Sequence, residues 1–228
     1  MKLSIIMPVF NERDTIKEIL RVVKDIPIDK EIIIVDDFST DGTRELLKSD
    51  PELDSGLNPK SEIKMIYHNE NRGKGTAIRT GLQYATGDVV IIQDADLEYN
   101  PWEYLKLIEP IERGLSSVVY GSRFEKGKFV AKSYLANKVL TFCTNLLYSS
   151  RIRDMETCYK CIKRDVINNL NLKSERFEFE PEITGKLLRM GYKILEIPIS
   201  YHGRVKDKKI GPKDGILAIY TLIKWWLK

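Results

Sequence analysis

The stretch Asp88-Val-Val-Ile-Ile-Gln-Asp-Ala-Asp-Leu-Glu98 decides the fold of this chain. Its four consecutive β-branched residues, 89–92, show no polar alternation, which is typical of a strand that is covered on both faces, as in a parallel sheet. Two carboxylates, Asp94 and Asp96, follow directly. Side chains at positions i and i+2 of an extended segment point the same way, so we expect both carboxylates on one side of the strand end.

Similar apolar runs and amphipathic patterns alternate on both sides of this stretch. We predict strands at 3–9, 31–36, 62–67, 88–93 and 116–121, and helices at 14–24, from Asp41, at 73–85 and from Pro101. This alternation predicts an α/β fold with a doubly wound, mainly parallel sheet and helices on both faces. Ligands of such sheets bind beyond the carboxyl ends of the strands, so we expect the chemistry there.

The part of the chain after residue 125 is less regular. We predict helices at 131–149, 179–190 and 214–228, strands at 157–162 and 193–199, and a polar, basic loop at 203–213. The sequence shows neither an internal repeat nor a linker, so we expect a single domain over residues 1–228.

The composition argues against several classes of protein. Of the 228 residues, 43% are apolar and 31% are charged, as in a folded domain, and the formal net charge of +4 indicates no nucleic-acid partner. Three cysteines without a signal peptide argue against a disulfide scaffold, and they lack the spacing of a zinc site. No apolar run reaches the roughly 18 residues of a spanning helix. We therefore expect a cytoplasmic protein.

The carboxylates after the fourth predicted strand are candidate metal ligands. Asp94 and Asp96 are able to share a divalent cation, because Mg²⁺ and Mn²⁺ prefer oxygen ligands and commonly bridge to substrate phosphates. Glu98 is a candidate third ligand, directly or through water. The alternative is that these residues form a turn and a helix cap before Pro101.

Two other strand ends carry groups that suit a nucleotide. A carboxylate at Asp36 or Asp37 is able to accept hydrogen bonds from ribose hydroxyls or a base N–H, although residues 39–41 also suit a turn and a helix cap. The segment 72–75, Arg-Gly-Lys-Gly, has glycines and cations at the start of a predicted helix. Such a segment suits a phosphate cradle, and the alternative is a tight turn.

In their order along the chain, these segments form a combination that resembles the family 2 glycosyltransferases, whose fold is called GT-A. The combination is similar to the polyprenyl-phosphate sugar synthases, the dolichol-phosphate mannose synthase group, over nearly the whole chain. The segments that carry the resemblance are Pro8-Val9-Phe10-Asn11-Glu12, Val35-Asp36-Asp37, Asn71-Arg72-Gly73-Lys74-Gly75, Asp94-Ala95-Asp96-Leu97-Glu98-Tyr99, Tyr120-Gly121-Ser122-Arg123-Phe124, Asp154-Met155-Glu156-Thr157-Cys158-Tyr159-Lys160, Phe179-Glu180-Pro181-Glu182-Ile183-Thr184 and Tyr201-His202-Gly203-Arg204.

The resemblance implies a role for each segment. Residues 1–125 would form a nucleotide-sugar-binding half, and residues 126–228 an acceptor-side half. The donor would be held by Pro8, Phe10, Glu12, Val35, Asp37, Lys74, Asp94 and Ala95. Mg²⁺ or Mn²⁺ would be held by Asp94, Asp96 and Glu98. The catalytic residues would be Asp96, Arg123, Asp154 and Glu180, of which the last two would line the sugar pocket. The acceptor phosphate would meet Arg123, Arg204, Lys208 and Lys209.

The activity implied is an inverting transfer of a hexose from GDP-mannose, UDP-glucose or a UDP-N-acetylhexosamine to a polyprenyl (dolichyl or undecaprenyl) phosphate. A phosphate acceptor, whose second pKa is about 6, is already charged and needs cations rather than a base. Positive charge would be supplied by Arg123, Arg204 and the loop lysines Lys206, Lys208, Lys209 and Lys213, and the alternative is that this lysine-rich loop is only solvated. The sequence fixes neither the sugar nor the choice between UDP and GDP.

Three alternative functions compete with this one. A soluble or protein-bound alcohol acceptor would need a base, for which Asp154 is the candidate. A nucleotidyltransferase would need a glycine-rich basic loop after the first strand, where Asn11-Glu12-Arg13 has no glycine. A non-catalytic nucleotide-binding module would be expected to lose the carboxylates that this chain keeps.

Two predicted helices bear on a membrane partner. Residues 130–148 and 214–228 mix large apolar residues with lysines, and the second helix carries Trp225 and Trp226. This composition suits a helix in a membrane interface, and it equally suits a helix that covers the sheet. We expect peripheral association with the cytoplasmic face of a membrane, with a nucleotide sugar and a polyprenyl phosphate as the other partners.

Overall fold

The computed structural model describes residues 1–49, 61–129, 131–204 and 211–228. Its strands are β1 (Leu3–Val9), β2 (Lys30–Asp36), β3 (Ser61–Tyr67), β4 (Val89–Ile92), β5 (Val118–Lys128), β6 (Lys160–Lys163) and β7 (Leu195–His202). Its helices are α1 (Ile16–Asp25), α2 (Thr43–Ser49), α3 (Lys74–Leu82), α4 (Tyr104–Glu112), α5 (Ala131–Tyr148), α6 (Arg164–Asn169), α7 (Phe179–Arg189) and α8 (Pro212–Leu227). A 3₁₀ turn, Pro101–Glu103, precedes α4.

Within the described ranges, seven strands form one sheet in the order β3-β2-β1-β4-β6-β5-β7. The four strands from β3 to β4 are parallel, and so are β5 and β7. The short β6 runs antiparallel to both of its neighbours, β4 and β5. The predicted α/β fold with a mainly parallel, doubly wound sheet is confirmed. The direction of β6 is not visible in the sequence, because four residues are too few to show a polar alternation.

Helices cover both faces of the sheet. On β2, Ile32 and Ile34 belong to the main apolar cluster, which also contains the buried residues of α1. The residues between and after them, Ile33 and Val35, pack with Ala77 of α3 in a second cluster. Alternate residues of one strand therefore contact different helices, which explains why the strand is apolar throughout.

The start of α3 packs tightly against the segment that leads to α7. Gly73 has a φ of +89°, and a Cβ placed on it would overlap the carbonyl oxygen of Glu175. At Gly75, an added Cβ would lie 2.5 Å from the carbonyl oxygen of Ser174. Only glycine permits both the backbone conformation of Gly73 and this close approach. The contact joins the start of α3 to the second half of the chain.

Helices α5 and α8 each have a buried side and an exposed apolar side. Leu140 of α5 and Leu222 of α8 share a buried cluster with Met155, and the Tyr148 hydroxyl donates to the Leu222 carbonyl at 2.7 Å. The exposed large apolar residues of the two helices, which we call the α5–α8 apolar face, are Tyr134, Leu135, Val139, Phe142, Leu146, Ile216, Leu217, Tyr220, Ile223, Trp226 and Leu227. The two predicted uses of these helices, covering the fold and presenting an apolar surface, are therefore combined.

Candidate active site

A pocket of about 770 Å³ lies beyond the carboxyl ends of the strands, where a doubly wound sheet is expected to bind its ligand. Most of the predicted site residues line it, namely Pro8, Phe10, Glu12, Asp37, Lys74, Asp94, Ala95, Asp96, Glu98, Arg123, Glu180 and Arg204. Two predicted residues, Val35 and Asp154, are not among its lining residues. The loop lysines Lys206, Lys208 and Lys209 lie outside the described residues.

The carboxylate of Asp37 ties the end of β2 to the start of α3. Its Oδ1 lies 2.7 Å from Nδ1 of His68 and accepts from the Arg72 amide at 2.9 Å. Its Oδ2 accepts from the Gly73 amide at 2.7 Å. These two amides donate to Asp37, so of the segment 72–75 that was predicted as a phosphate cradle, Arg72 and Gly73 use their backbone donors within the fold. Asp37 itself lines the pocket as a carboxylate held in a fixed position.

Lys74 places its charge between two carboxylates of the pocket. Its Nζ lies 2.9 Å from Oδ1 of Asp94 and 2.9 Å from Oε1 of Glu180. Burial acts to lower the pKa of Lys74, but the charges of Asp94 and Glu180 outweigh it and raise that pKa well above its usual value. Burial likewise acts to raise the pKa of Asp94, and Lys74 lowers it. Both partners are therefore charged at neutral pH.

Gln93 positions the residues that follow β4. This buried side chain donates through Nε2 to the carbonyl of Asp94 at 2.8 Å. Its Oε1 accepts hydrogen bonds from the hydroxyls of Tyr104 and Tyr159. This network explains why a polar side chain is buried at the end of β4. It also holds in place the backbone that carries Asp94.

The negative charge of Asp96 is balanced by nearby positive charge less completely than that of Asp94. Its Oδ1 accepts from the Glu98 amide at 3.2 Å, and its Oδ2 lies 3.6 Å from Nη2 of Arg204. Burial and the charges of Asp94 and Glu98 raise the pKa of Asp96 to about 7, and Arg204 offsets only part of this effect. Asp96 is thus a carboxylate in an excess of negative charge.

Arg204 connects three loops of the pocket. Its guanidinium forms a two-armed ion pair with Glu12, with Nη2 to Oε1 at 2.9 Å and Nη1 to Oε2 at 3.1 Å. Its backbone amide donates to Oε1 of Glu98 at 2.6 Å, and the hydroxyl of Tyr201 donates to Oε2 of Glu98 at 2.7 Å. Two-armed pairs of this kind fix geometry as well as charge. Arg204 therefore joins the end of β7 to the loops after β1 and β4.

The side chains around Asp96 fit a divalent cation held by few protein ligands. The donors are carboxylate oxygens, which Mg²⁺ and Mn²⁺ prefer, and a cation would relieve the charge excess that raises the pKa of Asp96. Within the described ranges, no group of three or more His, Cys, Asp or Glu side chains is arranged to hold a metal. Asp94 lies against Lys74, and Glu98 accepts a hydrogen bond from Tyr201. The remaining ligands of such a cation would come from a substrate phosphate or water.

Asp154 does not line the sugar pocket as predicted, because it is the buried partner of Arg123. Nε of Arg123 donates to Oδ2 of Asp154 at 2.7 Å, and Nη2 donates to Oδ1 at 2.7 Å. The Arg123 amide also donates to Oδ2 at 2.9 Å. Burial acts to lower the pKa of Arg123, and Asp154 raises it well above its usual value. Both oxygens of Asp154 are occupied, whereas Arg123 lines the pocket.

Val35 also lies elsewhere than predicted. Its side chain is fully buried in the cluster with Ile33 and Ala77, under α3. Val35 therefore offers no side-chain atom to a nucleotide in the pocket, and the alternation of side chains along β2 explains why it lies under α3.

Glu156 lines the pocket, although its segment, 154–160, predicts no role for it. It lies in the turn before β6 and lines the pocket with Lys74, Asp94 and Glu180. Its Oε1 is buried and has no hydrogen-bond partner among the described residues. Burial and the charge of Glu180 raise the pKa of Glu156 to about 7. No periodicity marks this residue, since the turn is irregular; only the presence of a carboxylate within a matching motif pointed to it.

The sequence profile of Glycosyl transferase family 2 matches residues 4–170. The chain belongs to this family. The match spans β1 to α6 and so includes Asp37, Asp94, Asp96 and Arg123.

Two curated relatives are similar to this family 2 chain over almost its whole length. The dolichol-phosphate mannosyltransferase of Pyrococcus furiosus is 29% identical over 238 residues, which cover 99% of this chain and 64% of the relative. The undecaprenyl-phosphate 4-deoxy-4-formamido-L-arabinose transferase of Pseudomonas fluorescens is 30% identical over 227 residues, which cover 96% of this chain and 63% of the relative. The chain thus spans somewhat less than two thirds of each relative. The resemblance to polyprenyl-phosphate sugar transferases is confirmed.

Solved structures of glucosyl-3-phosphoglycerate synthase from Mycobacterium tuberculosis share the fold of the family 2 chain. The complex with UDP has a TM-score of 0.70 at 17% identity, covering 99% of this chain and 79% of the other. The complex with Mn²⁺, UDP and glucosyl-3-phosphoglycerate has a TM-score of 0.68 at 19% identity, covering 99% and 78%. The fold is therefore that of the GT-A glycosyltransferases.

Two further observations concern the membrane and the cysteines. Among the helices in the described ranges, none combines the length and the apolar character that crossing a membrane requires. Cys143, Cys158 and Cys161 are free thiols.

Proposed function

We propose that this family 2 chain is an inverting glycosyltransferase that moves a hexose from a nucleoside-diphosphate sugar to a polyprenyl phosphate. The observation that carries the proposal is the make-up of one pocket. Carboxylates from the strand ends, a buried arginine and the facing sides of α5 and α8 all line it. The names of the two relatives combine a sugar with dolichol phosphate or undecaprenyl phosphate, which supports the same acceptor class for this chain.

In this proposal residues 1–125 serve the donor and residues 126–228 serve the acceptor. Asp37 offers a fixed carboxylate to a base N–H or a ribose hydroxyl, and Pro8 and Phe10 line the same pocket. Lys74 and Arg204 bring positive charge toward the diphosphate. The metal would be held by Asp96 together with Asp94, and when bound it would neutralise charge on the leaving diphosphate.

The chemistry is a single displacement. An acceptor oxygen forms a bond to the anomeric carbon while the bond from that carbon to the diphosphate oxygen breaks, and the nucleoside diphosphate leaves with the bonding electrons. A phosphate acceptor, with a second pKa of about 6, is ionised and gives up no proton in this step. This suits the site, because the candidate base for an alcohol acceptor, Asp154, is paired with Arg123 through both oxygens.

The acceptor would reach the site between α5 and α8. The pocket wall there consists of Ser133, Ala136, Asn137 and Leu140 of α5 and of Asp214, Gly215 and Ala218 of α8. Apart from Asn137 and Asp214, these residues are small or apolar, as suits an isoprenoid tail. The outer sides of the same helices form the α5–α8 apolar face, so a lipid held in a membrane surface would have a short path to Arg123.

A transfer assay tests the proposal. The purified chain is mixed with Mg²⁺ or Mn²⁺, a panel of UDP- and GDP-sugars, and a short polyprenyl phosphate, and lipid-extractable sugar is measured. We expect product with at least one donor, and a loss of about a hundred- to a thousandfold in Asp96→Asn, because a charge-neutralising group at the leaving diphosphate would be lost. Asp88→Asn is the matched control, since Asp88 is exposed at the opposite end of β4.

The outcomes separate the parts of the proposal. Metal-dependent nucleotide binding without lipid product, but with product on an alcohol, would replace the acceptor. Nucleotide binding without any transfer would indicate a non-catalytic module. An Asp96→Asn variant as active as Asp88→Asn would remove the metal from the proposal.

We further propose that the α5–α8 apolar face binds the membrane surface peripherally. Leu135 of this face is 65% exposed, and Leu115, in the turn before β5, is equally exposed at 65%. Leu135→Glu is expected to weaken co-sedimentation with anionic phospholipid vesicles by about tenfold, and Leu115→Glu to leave it unchanged, because only the first places a charge in the apolar contact. Equal effects of the two substitutions would contradict this surface.

A further inference from the structure

Glu156 carries a hydrogen-bond acceptor that is not used by any residue in the part of the chain that the structure describes. Its Oε1 is buried without a partner among the described residues, although the side chain lines the pocket. A buried polar atom without a partner is costly, and one that lines a binding pocket is accounted for most simply by a ligand. The other carboxylates near it are engaged: Asp94 and Glu180 with Lys74, and Asp154 with Arg123.

The backbone on both sides of Glu156 is held in place. The buried Lys160 donates through Nζ to the carbonyls of Met155, at 2.9 Å, and of Thr157. The Met155 amide donates to Oγ1 of Thr141 at 3.1 Å, and the Cys158 amide donates to the Tyr99 hydroxyl at 2.9 Å. Lys160 therefore donates to the backbone of the turn rather than to the Glu156 carboxylate. The turn is rigid, and the side chain that it presents to the pocket is positioned in advance of binding.

The charges around Glu156 favour a neutral hydrogen-bond donor over an anion. Glu180 and Asp154 raise its pKa, after burial itself, while Lys160 and Arg123 lower it. A phosphate oxygen would be repelled by these carboxylates. A sugar hydroxyl, in contrast, donates a hydrogen bond to a carboxyl oxygen in either protonation state.

We propose that Glu156 binds the transferred sugar by accepting a hydrogen bond from one of its ring hydroxyls, and so determines which nucleotide sugar the chain prefers. This inference rests on the proposed function, because it requires a sugar in this pocket. It assigns Glu156 to the sugar and leaves the nucleoside and diphosphate to Asp37, Lys74 and Asp96.

The test compares affinities for nucleotides with and without a sugar. Isothermal titration calorimetry in the presence of Mn²⁺ gives the dissociation constants of UDP, GDP, UDP-glucose, UDP-N-acetylglucosamine and GDP-mannose. The measured quantity is the sugar increment, the ratio of the dissociation constant of the nucleoside diphosphate to that of its nucleotide sugar. It is determined for the wild type, Glu156→Ala, Glu156→Gln and the control Glu103→Gln. Glu103 is also buried, but it pairs with Lys106 outside the pocket.

We expect Glu156→Ala to reduce the sugar increment by about ten- to a hundredfold, because a hydrogen bond to a charged or strongly polar acceptor is lost. Glu156→Gln keeps one carbonyl acceptor and should lose less. The dissociation constants of UDP and GDP should not change in either variant, and Glu103→Gln should change neither quantity.

The remaining outcomes count against the inference in different ways. An unchanged sugar increment in Glu156→Ala overturns it, and so does a loss of turnover without any loss of nucleotide-sugar affinity, which would mark Glu156 as a base. If the wild type binds none of the five nucleotides, the proposed function fails and the inference falls with it.

Discussion

The two ends of the sheet satisfy their buried carboxylates in different ways. At the amino ends of the strands, Glu31 accepts hydrogen bonds from Oγ of Ser4 at 2.6 Å and from the amide of Gly87 at 3.0 Å, among others. Burial alone would raise the pKa of Glu31, but these hydrogen bonds lower it to about 2. At the carboxyl ends, burial and neighbouring carboxylates raise the pKa of Asp96 and of Glu156 to about 7.

The difference shows which end of the sheet serves the fold and which serves a ligand. At the amino ends the chain supplies donors for its own buried charge, so nothing is left for another molecule to satisfy. At the carboxyl ends it leaves the negative charge of Asp96 only partly balanced and Oε1 of Glu156 without a partner among the described residues. These groups lower the stability of the folded chain, as is typical of residues in a binding site.

The largest expected effect concerns a carboxylate at the carboxyl ends that is nevertheless fully paired. Asp154→Asn should lower the free energy of unfolding by about 3–5 kcal/mol, because it leaves the guanidinium of Arg123 buried without a countercharge. Urea unfolding followed by circular dichroism measures this. The double variant Arg123→Met with Asp154→Leu removes both charges and should recover most of the loss. If Asp154→Asn is as stable as the wild type, the Arg123–Asp154 pair does not stabilise the fold, and its charges serve a ligand, as those of Asp96 and Glu156 do.

The second prediction concerns the amino ends. Glu31→Gln should lower the free energy of unfolding by about 3 kcal/mol at neutral pH, as expected from a pKa lowered from 4.5 to about 2. The stabilisation by Glu31 is complete above pH 4.5 and is lost as the pH falls from 4.5 to about 2. The difference in the free energy of unfolding between the wild type and the variant should therefore disappear as the pH falls. A gap that is independent of pH would mean that hydrogen-bond geometry, not charge, is what Glu31 contributes.

The smallest expected effect is an increase, not a decrease, in the free energy of unfolding. The folded-state pKa of Glu156 is raised from 4.5 to about 7, so the folded protein holds a proton that the unfolded chain has lost, and stability falls as the pH rises through this window. Glu156→Gln removes this titration. Relative to the wild type, the variant should gain about 1–2 kcal/mol between mildly acidic and mildly basic pH, as read from thermal unfolding. A variant that is less stable than the wild type at every pH would show that Glu156 is paired in solution.

Much of the fold was predictable because the apolar runs are long and continuous. Residues 89–92 and the other β-branched runs required cover on both faces, and this requirement leads directly to the doubly wound sheet. The direction of β6 was not predictable. It depends on pairing with β4 and β5, which lie far away in the sequence, and not on local pattern.

The candidate site, like the fold, was only partly predictable from the sequence. Asp37, Asp94 and Asp96 could be placed together because parallel strands bring their carboxyl ends to one edge. The pairing of Asp154 with Arg123 and the unused oxygen of Glu156 could not be foreseen, since both depend on which partners three-dimensional packing brings within reach.

The antiparallel insertion of β6 has a consequence for how the chain is made. In the described sheet, β5 and β7 connect to the remaining strands through β6 alone. A nascent chain on the ribosome therefore cannot complete its sheet until residues 160–163 have been synthesised, and until then β4 and β5 each carry an open edge. Residues 1–125, although contiguous in sequence, therefore do not contain a complete sheet. A fragment cut after residue 125 is expected to aggregate, because it lacks the strand that joins β5 to β4.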